Sequence, residues 1–468
     1  MRLSFEEIVR AVDGSAVAGA APCGIVEGVG TDSRAVKPGS LFVCIPGETF
    51  DGHDFAVKAA EAGAAALLVS RNPFDAVPPV PLILVEDTVK ALGKLAHCWR
   101  ERLGETRVIG LTGTAGKTTV KELLAQVLSR RGPTAKTHMN LNNQIGLPLS
   151  MLAATGEEAF WVMEAGISHP NDMDELGAIL EPDLALILNV GPGLGDRGTA
   201  HYKSKLLAHL APGGTAIISA DYPDLAREAR AVRQELVFFS TSGRQVDYRA
   251  AYVVPAGEDK GLFRLWLDGV SIDVEAPFRG AFGAENVIAV AAVAHRLGLG
   301  AEEIAAGFAG AALPKQRFAC SRAGDWLVID DSYNANPLSF SRMLEAAAEM
   351  AGDHADRPLV CVLGEMGELG SLSEDEHRNL GRLVADIKPR LVCWKGGHLE
   401  EFEDGLHAGR YGGAFCPVTS AEDMFKGLAA CDLGSGGGVI LFKGSRSNKL
   451  ETLVSAFTEA QAGEPHAV

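Results

Sequence analysis

The residues best suited to chemistry form the run Thr112-Gly113-Thr114-Ala115-Gly116-Lys117-Thr118-Thr119. It lies between an apolar strand expected at 108–112 and a helix expected at 117–131, which Gly132-Pro133 would stop. Glycines in such a turn let backbone N–H groups face phosphate oxygens, and the helix N-terminus adds about half a positive charge. Lys117 would reach the β- and γ-phosphates of a nucleotide, and the Thr118 hydroxyl would ligate Mg²⁺. The usual G-x-x-x-x-G-K-[ST] spacing is not met, because position 111 is Leu and the nearest earlier glycine is Gly110. Glu164 follows an apolar strand at 160–163, where a carboxylate meets the ligand edge of a parallel sheet and could hold Mg²⁺. The polar run 137–144, with Asn140, Asn142 and Asn143, reads by composition as a structured loop. Asp330-Asp331-Ser332-Tyr333-Asn334-Ala335-Asn336-Pro337 also follows a strand; it reads as a capped helix entry or as a holder of ribose or adenine. Lys443-Gly444-Ser445-Arg446 sets two cations at the same kind of edge, or forms a solvated basic turn.

These residues need elements to present them. Residues 1–105 read as a small α/β unit, with strands at 41–45 and 65–69, a helix at 55–62 between them, and a closing helix at 92–101. Residues 106–312 alternate apolar strands (108–112, 160–163, 184–188, 216–218, 236–239) with helical segments, the signature of a parallel sheet covered on both faces. Residues 248–276 instead alternate polar and apolar and contain Asp268-Gly269, so a small antiparallel excursion is expected there. Residues 313–468 resume the alternation, with strands at 326–329, 359–363, 391–394 and 439–442, as in a Rossmann-type domain. The fold class expected is therefore α/β in three domains.

A chain of 468 residues suits about three domains. Its formal charge of −17 disfavours nucleic-acid or anionic-membrane partners. No apolar run reaches the roughly 18 residues a membrane helix needs, and the acidic start Met1-Arg2-Leu3-Ser4-Phe5-Glu6-Glu7 is unlike a signal peptide. A cytoplasmic location is expected. The eight cysteines include no C-x-x-C pair, which argues against a zinc site or a disulfide scaffold and for buried free thiols.

Taken together, the motifs resemble the Mur ligase family of peptidoglycan synthesis. The likeness rests on Thr31-Asp32-Ser33-Arg34, 37–42 (KPGSLF) and 47–55 (GETFDGHDF), on TGTAGKTT and 140–148 (NLNNQIGLP), and on DDSYNANP, 363–370 (LGEMGELG) and 443–447 (KGSRS). It implies an ATP-dependent amide ligation, with D-alanyl-D-alanine added to a UDP-N-acetylmuramoyl-tripeptide through an acyl phosphate. It also implies that Ser33, Arg34, Thr49, Asp51, Gly52 and His53, with Asn140, Asn142 and Asn143, hold the UDP substrate. ATP would lie on Gly113, Thr114, Ala115, Gly116, Lys117, Thr118 and Thr119, with Asn286, Arg317, Asp331, Asn334 and Asn336 around it. Lys117, Glu164 and Lys203 would be catalytic. Thr118, Glu164 and Lys203, the last as an N-carboxylated lysine, would hold Mg²⁺, with Lys205 a nearby competitor. The first domain would take the UDP substrate, the second ATP, and the third would close over it and bind the dipeptide. A monomer is the family expectation.

Three departures stand out. The segment 189–197 is shorter than the family loop and lacks its metal-associated histidine; His201 is the nearest substitute, at the wrong spacing from Lys203. Ala115 replaces a usual Asn, and Glu285 a usual His. Two rival readings are a folylpolyglutamate-type amide ligase and a nucleotide-binding relative that has lost catalysis.

Overall fold

The computed structural model describes residues 1–17, 24–47, 49–192, 197–352, 357–433 and 437–462. The N-terminal unit carries a five-stranded sheet in the order Ser15–Val17, Leu82–Leu84, Ala66–Val69, Leu41–Val43, Val29–Gly30. All neighbours run parallel except the Ser15–Val17 edge. Arg2–Ser4 and Ile25–Glu27 form a separate antiparallel pair. The closing helix begins earlier than its apolar spacing suggests, spanning Thr88–Glu101, because the Asp87 carboxylate accepts the N–H groups of Val89 (2.9 Å) and Lys90 (3.0 Å). Its Gly93 leaves room for Ile179, since a Cβ there would lie 2.8 Å from that side chain, so the helix seats directly on the central unit.

The central sheet has nine strands. Arg107–Thr112 sits between Phe160–Glu164 and Leu184–Ile187, with Thr134–Lys136 at one edge and Thr215–Ser219 and Val237–Ser240 continuing the parallel run on the other side. Connections leave Arg107–Thr112 and Phe160–Glu164 toward opposite sides, a switch point whose carboxyl end opens a crevice for ligands. The excursion is antiparallel as expected: Tyr248–Pro255, Gly261–Leu267 and Val270–Ala276 close the sheet. Asp268 (φ 47°) and Gly269 (φ 92°) both take the left-handed conformation that a two-residue hairpin demands. The helix after the glycine loop spans Lys117–Leu128, a turn shorter than expected. Ser129 ends it by donating its hydroxyl to the Ala125 carbonyl (2.6 Å).

The third sheet runs Ala319–Ala323, Trp326–Asp331, Gly438–Lys443, Leu359–Gly364, Leu391–Lys395, Ala414–Pro417, parallel but for the first strand. One apolar core continues from the central sheet through helix Gly283–Arg296 to Phe318, Phe340 and Met343 of the third unit. An edge-to-face contact of Phe282 with Phe318 (centroids 4.6 Å apart) belongs to that seam. Of the cysteines, Cys44, Cys361 and Cys393 are buried, but Cys98, Cys320, Cys416 and Cys431 are only partly so; Cys23 lies outside the described residues.

Candidate active site

The glycine loop is held open by its neighbours. Gly116 takes φ 80° at the helix N-cap, and a Cβ there would lie 2.7 Å from Asn286 Oδ1. Asn189 splints the turn: its Oδ1 accepts the N–H groups of Thr114 (3.0 Å) and Ala115 (2.8 Å), and its Nδ2 donates to the Ala115 carbonyl (3.0 Å). Lys117 Nζ donates to the Gly113 carbonyl (3.0 Å), inside the curl of its own loop. Thr114 Oγ1 and Asn286 Oδ1 are buried without hydrogen-bond partners beside this loop. Orphaned polar atoms over a loop that only glycine can form are what a bound nucleotide would satisfy.

Glu164 ends its strand almost fully buried. Thr118 donates its hydroxyl to one carboxylate oxygen (3.0 Å), Asn142 its amide to the other (2.8 Å), and the Glu164 N–H reaches Thr137 Oγ1 (2.8 Å). The polar loop at 137–144 is therefore more than a turn, because it seats the carboxylate. Lys121, absent from the expected site, anchors that loop. It is completely buried and donates to the carbonyls of Thr137 (2.8 Å) and Met139 (2.6 Å). The signal for it was its place four residues after Lys117, on the same helix face. Lys203, from helix Gly198–Ser204, is buried and lines the same cavity. Burial, then the nearby Lys117 charge, push its amine well below the ordinary lysine range, against Glu164. Lys205 instead pairs with Asp174 (2.5 Å). Thr118 and Glu164 are hard oxygen donors that suit Mg²⁺, an ion commonly held by one or two carboxylates, water and substrate phosphates. No cluster of three or more His, Cys, Asp or Glu residues able to hold a metal occurs among the described residues.

The third unit leans over this floor. Arg317 reaches Thr118 Oγ1 (3.4 Å) and lies over the Tyr333 ring (4.2 Å), and Asn336 donates to the Thr114 carbonyl (3.2 Å). Asp331 pairs with the buried Lys443 (2.5 Å) and accepts the Phe318 N–H (3.0 Å), while Lys443 also donates to the Asn334 carbonyl (3.2 Å). These groups enclose a cavity of about 510 Å³, to which Phe278, Phe282, Phe318 and Met343 give an apolar side. Thr114 through Thr119, Glu164 and Lys203 line it, as do Asn140, Asn142 and Asn143, and Asn286, Arg317, Asp331, Asn334 and Asn336. Gly113 contributes the carbonyl that Lys117 grips.

Ser33, Arg34, Thr49, Asp51, Gly52 and His53 do not line that cavity. Arg34 pairs with its neighbour Asp32 (2.7 Å). His53 is buried, and its Nε2 accepts the Ser70 N–H (3.0 Å), so Nδ1 carries the proton and donates to Asp51 (2.6 Å). Asp51 also pairs with Arg71 (2.8 Å), and a Cβ on Gly52 would meet the Ile45 nitrogen at 2.5 Å. Asp51, Gly52 and His53 thus build the loop, while Thr49 and Phe50 beside them face solvent. His201 pairs with Glu228 (3.1 Å) and is not among the cavity residues. The departure read in 189–197 falls partly on residues 193–196, outside the described residues.

Three family models match in succession: Mur ligase family, catalytic domain, over 25–100; Mur ligase middle domain over 111–294; and Mur ligase, glutamate ligase domain, over 316–446. The chain is 36% identical over 445 residues to the UDP-N-acetylmuramoyl-tripeptide–D-alanyl-D-alanine ligase of Escherichia coli K12, covering 93% of this chain and 94% of that one. A crystal structure of MurF from Acinetobacter baumannii superposes with a TM-score of 0.88 at 31% identity, over 98% of this chain and 99% of that one. MurF from Thermotoga maritima, crystallised with ADP, gives 0.78 at 27% identity, over 93% and 98%. Similarity at this level runs through the N-terminal sheet, the glycine loop and the third unit alike, and this chain belongs to the Mur ligase family.

Proposed function

We propose that this chain is an ATP-dependent ligase joining D-alanyl-D-alanine to UDP-N-acetylmuramoyl-tripeptide. One observation carries the reading: a glycine loop with its lysine, a strand-end carboxylate and a second buried lysine share one cavity with residues of the covering unit. The relative from Escherichia coli bears the name of that activity, and the Thermotoga maritima relative was solved with ADP.

A carboxylate cannot expel an oxide, so the tripeptide carboxylate must first be activated. Its oxygen attacks the γ-phosphorus of ATP, the bond to the bridging oxygen breaks, and ADP leaves. The dipeptide amine, with a pKa near ~8, loses its proton and attacks the carbonyl of the acyl phosphate; inorganic phosphate departs as the amide forms. Bringing two anions together demands concentrated positive charge. Lys117, the N-terminus of helix Lys117–Leu128, and Arg317 supply it from this chain. Mg²⁺, on Thr118 and Glu164, would offset phosphate charge when bound. Lys203 completes that set as an N-carboxylated lysine: only a neutral amine captures CO₂, and its burial favours the neutral form. Asn286, whose Oδ1 lies over Gly116, would contact the nucleotide from the central unit, while Asn334, Asn336 and Asp331 with Lys443 form the covering side.

On this reading residues 1–105 hold the UDP end, 106–312 hold ATP, and 313–468 close over it and take the dipeptide. The enzyme acts as a cytoplasmic monomer without nucleic acid. Among the described residues no helix is long and apolar enough to cross a membrane.

The test is Mg²⁺-dependent ADP release that requires both the UDP-tripeptide and D-alanyl-D-alanine. If neither substrate changes ADP output, the reading fails in favour of a silent nucleotide binder. If glutamate replaces the dipeptide as acceptor, it fails in favour of a folylpolyglutamate-type ligase. Loss of activity on CO₂ depletion, restored by bicarbonate, checks Lys203.

A further inference from the structure

We propose that Glu285 and Arg342 form a positioning pair through which the third unit sets the shape of the nucleotide loop; this rests on the reading of the cavity as a nucleotide site. Glu285 opens helix Gly283–Arg296 of the central unit, and Arg342 lies on helix Pro337–Gly352 of the third. A single carboxylate oxygen, Glu285 Oε2, accepts from Arg342 Nη2 (2.7 Å) and from Asn189 Nδ2 (2.8 Å). The two side chains keep only 6% and 18% of their exposure, and Arg342 is steadied by the Tyr222 hydroxyl (2.8 Å).

A carboxylate accepts, so Glu285 holds the Asn189 amide nitrogen on its side. That nitrogen also donates to the Ala115 carbonyl, while the oxygen gathers the N–H groups of Thr114 and Ala115, so Glu285 and the loop set the amide together. Three hydrogen-bonded steps thus link a cation on the covering unit, through Glu285 and Asn189, to the turn of the loop. Charge adds a second effect. Without Arg342, Glu285 would be a buried anion with no counter-charge, one side chain away from the site for phosphates. Glu285 is a departure of this chain, since the family resemblance leads to a histidine at that position.

The test is calorimetric titration of Mg·ADP into the full chain and its Arg342→Met, Glu285→Gln, Arg342→Lys and Glu285→Gln/Arg342→Met variants, with melting temperatures taken without nucleotide. Arg342→Met is expected to weaken ADP about tenfold, as for loss of a partner to a buried charge. The double variant removes both charges, and is expected to bind at least about fivefold tighter than the product of the single effects. The KM for ATP rises with the ADP dissociation constant, while the KM values for the other two substrates stay within about twofold. Arg342→Lys, which keeps the charge, restores most of the affinity; if Arg342→Met does not fold, Arg342→Lys and Glu285→Gln are compared in its place, with Glu285→Gln the weaker binder. Single variants that bind ADP within about twofold of the parent, or effects that simply multiply, overturn the pair. A fall in melting temperature with unchanged ADP affinity does the same, since it marks a merely structural role. The titration reads the pair even in a protein that ligates nothing, so failure of the ligase reading and failure of this inference are separate results.

Discussion

Lys117 and Lys121 stand one helical turn apart and do different work. Lys117 reaches the loop carbonyl where phosphates would lie. Its replacement by alanine removes a preorganised positive charge, and kcat is expected to fall by about 10²–10³ with the fold intact. Circular dichroism and steady-state assay check both halves. Lys121 does not line the cavity. Its loss leaves the carbonyl of buried Thr137 without this donor and frees that of exposed Met139, and Thr137 in turn seats Glu164. Lys121→Met is expected to cost about 1–3 kcal/mol of stability. It is also expected to raise the Mg²⁺ concentration needed for half-maximal activity. A Mg²⁺ titration separates the two: a stability loss with an unmoved Mg²⁺ midpoint would remove Lys121 from the support of the carboxylate.

At the scale of elements, the connection between strand Leu359–Gly364 and helix Ser373–Ile387 is tied by one histidine. His377 Nε2 accepts the Met366 N–H (2.9 Å) and Nδ1 donates to the Ser373 carbonyl (2.6 Å), so both ring nitrogens are engaged in the neutral form. The ring stacks on His398 (4.4 Å), with Glu365 and Glu401 nearby. Burial lowers its pKa from 6.5, against the pull of the Ser373 carbonyl. The unfolded chain then binds a proton at higher pH than the folded one. The stability that His377 contributes is full above 6.5 and is lost as pH falls toward its lower folded value. Urea unfolding at pH 5 to 8, values bracketing the ordinary histidine pKa of ~6.5, is expected to show stability declining on the acid side. His377→Gln is expected to flatten that decline, and an unchanged slope would exclude the histidine as its source. The connection matters for the site, because its Glu368 reaches the cavity rim.

At the scale of the whole molecule, residues of two units line one cavity. The core is already continuous between them, and Asn336 and Arg317 bridge to Thr114 and Thr118. A nucleotide bound only by the folded, assembled cavity stabilises by mass action, about 2.7 kcal/mol at a hundred times its dissociation constant. Melting of the full chain is therefore expected to shift upward with Mg·ADP. Asn336→Ala is expected to shrink that shift and, because Asn336 Oδ1 also accepts the Ser339 N–H (2.9 Å) at the start of helix Pro337–Gly352, to lower the ligand-free melting temperature by a few degrees. An undiminished shift would show that the central unit alone holds the nucleotide.

Sequence alone determined the order of units, the strand–loop–helix around Lys117, the antiparallel excursion and the family, because periodicity, turn residues and contiguous motifs are local properties of the chain. Element ends were less legible: the Asp87 cap moved one helix start and the Ser129 back-bond one helix end. Only the tertiary structure decided which polar groups meet. Asp51 and His53 carried the marks of a substrate loop, and they satisfy one another and Ser70; Lys121 was marked only by its spacing from Lys117, Asn189 only by its place in the shortened segment, and Arg342 by nothing, and each makes its buried contacts across the chain. The reason is physical. Burial presses donors and acceptors to find partners, and several of those around the site are distant in the chain, 16 residues for Lys121 with Thr137 and 222 for Asn336 with Thr114.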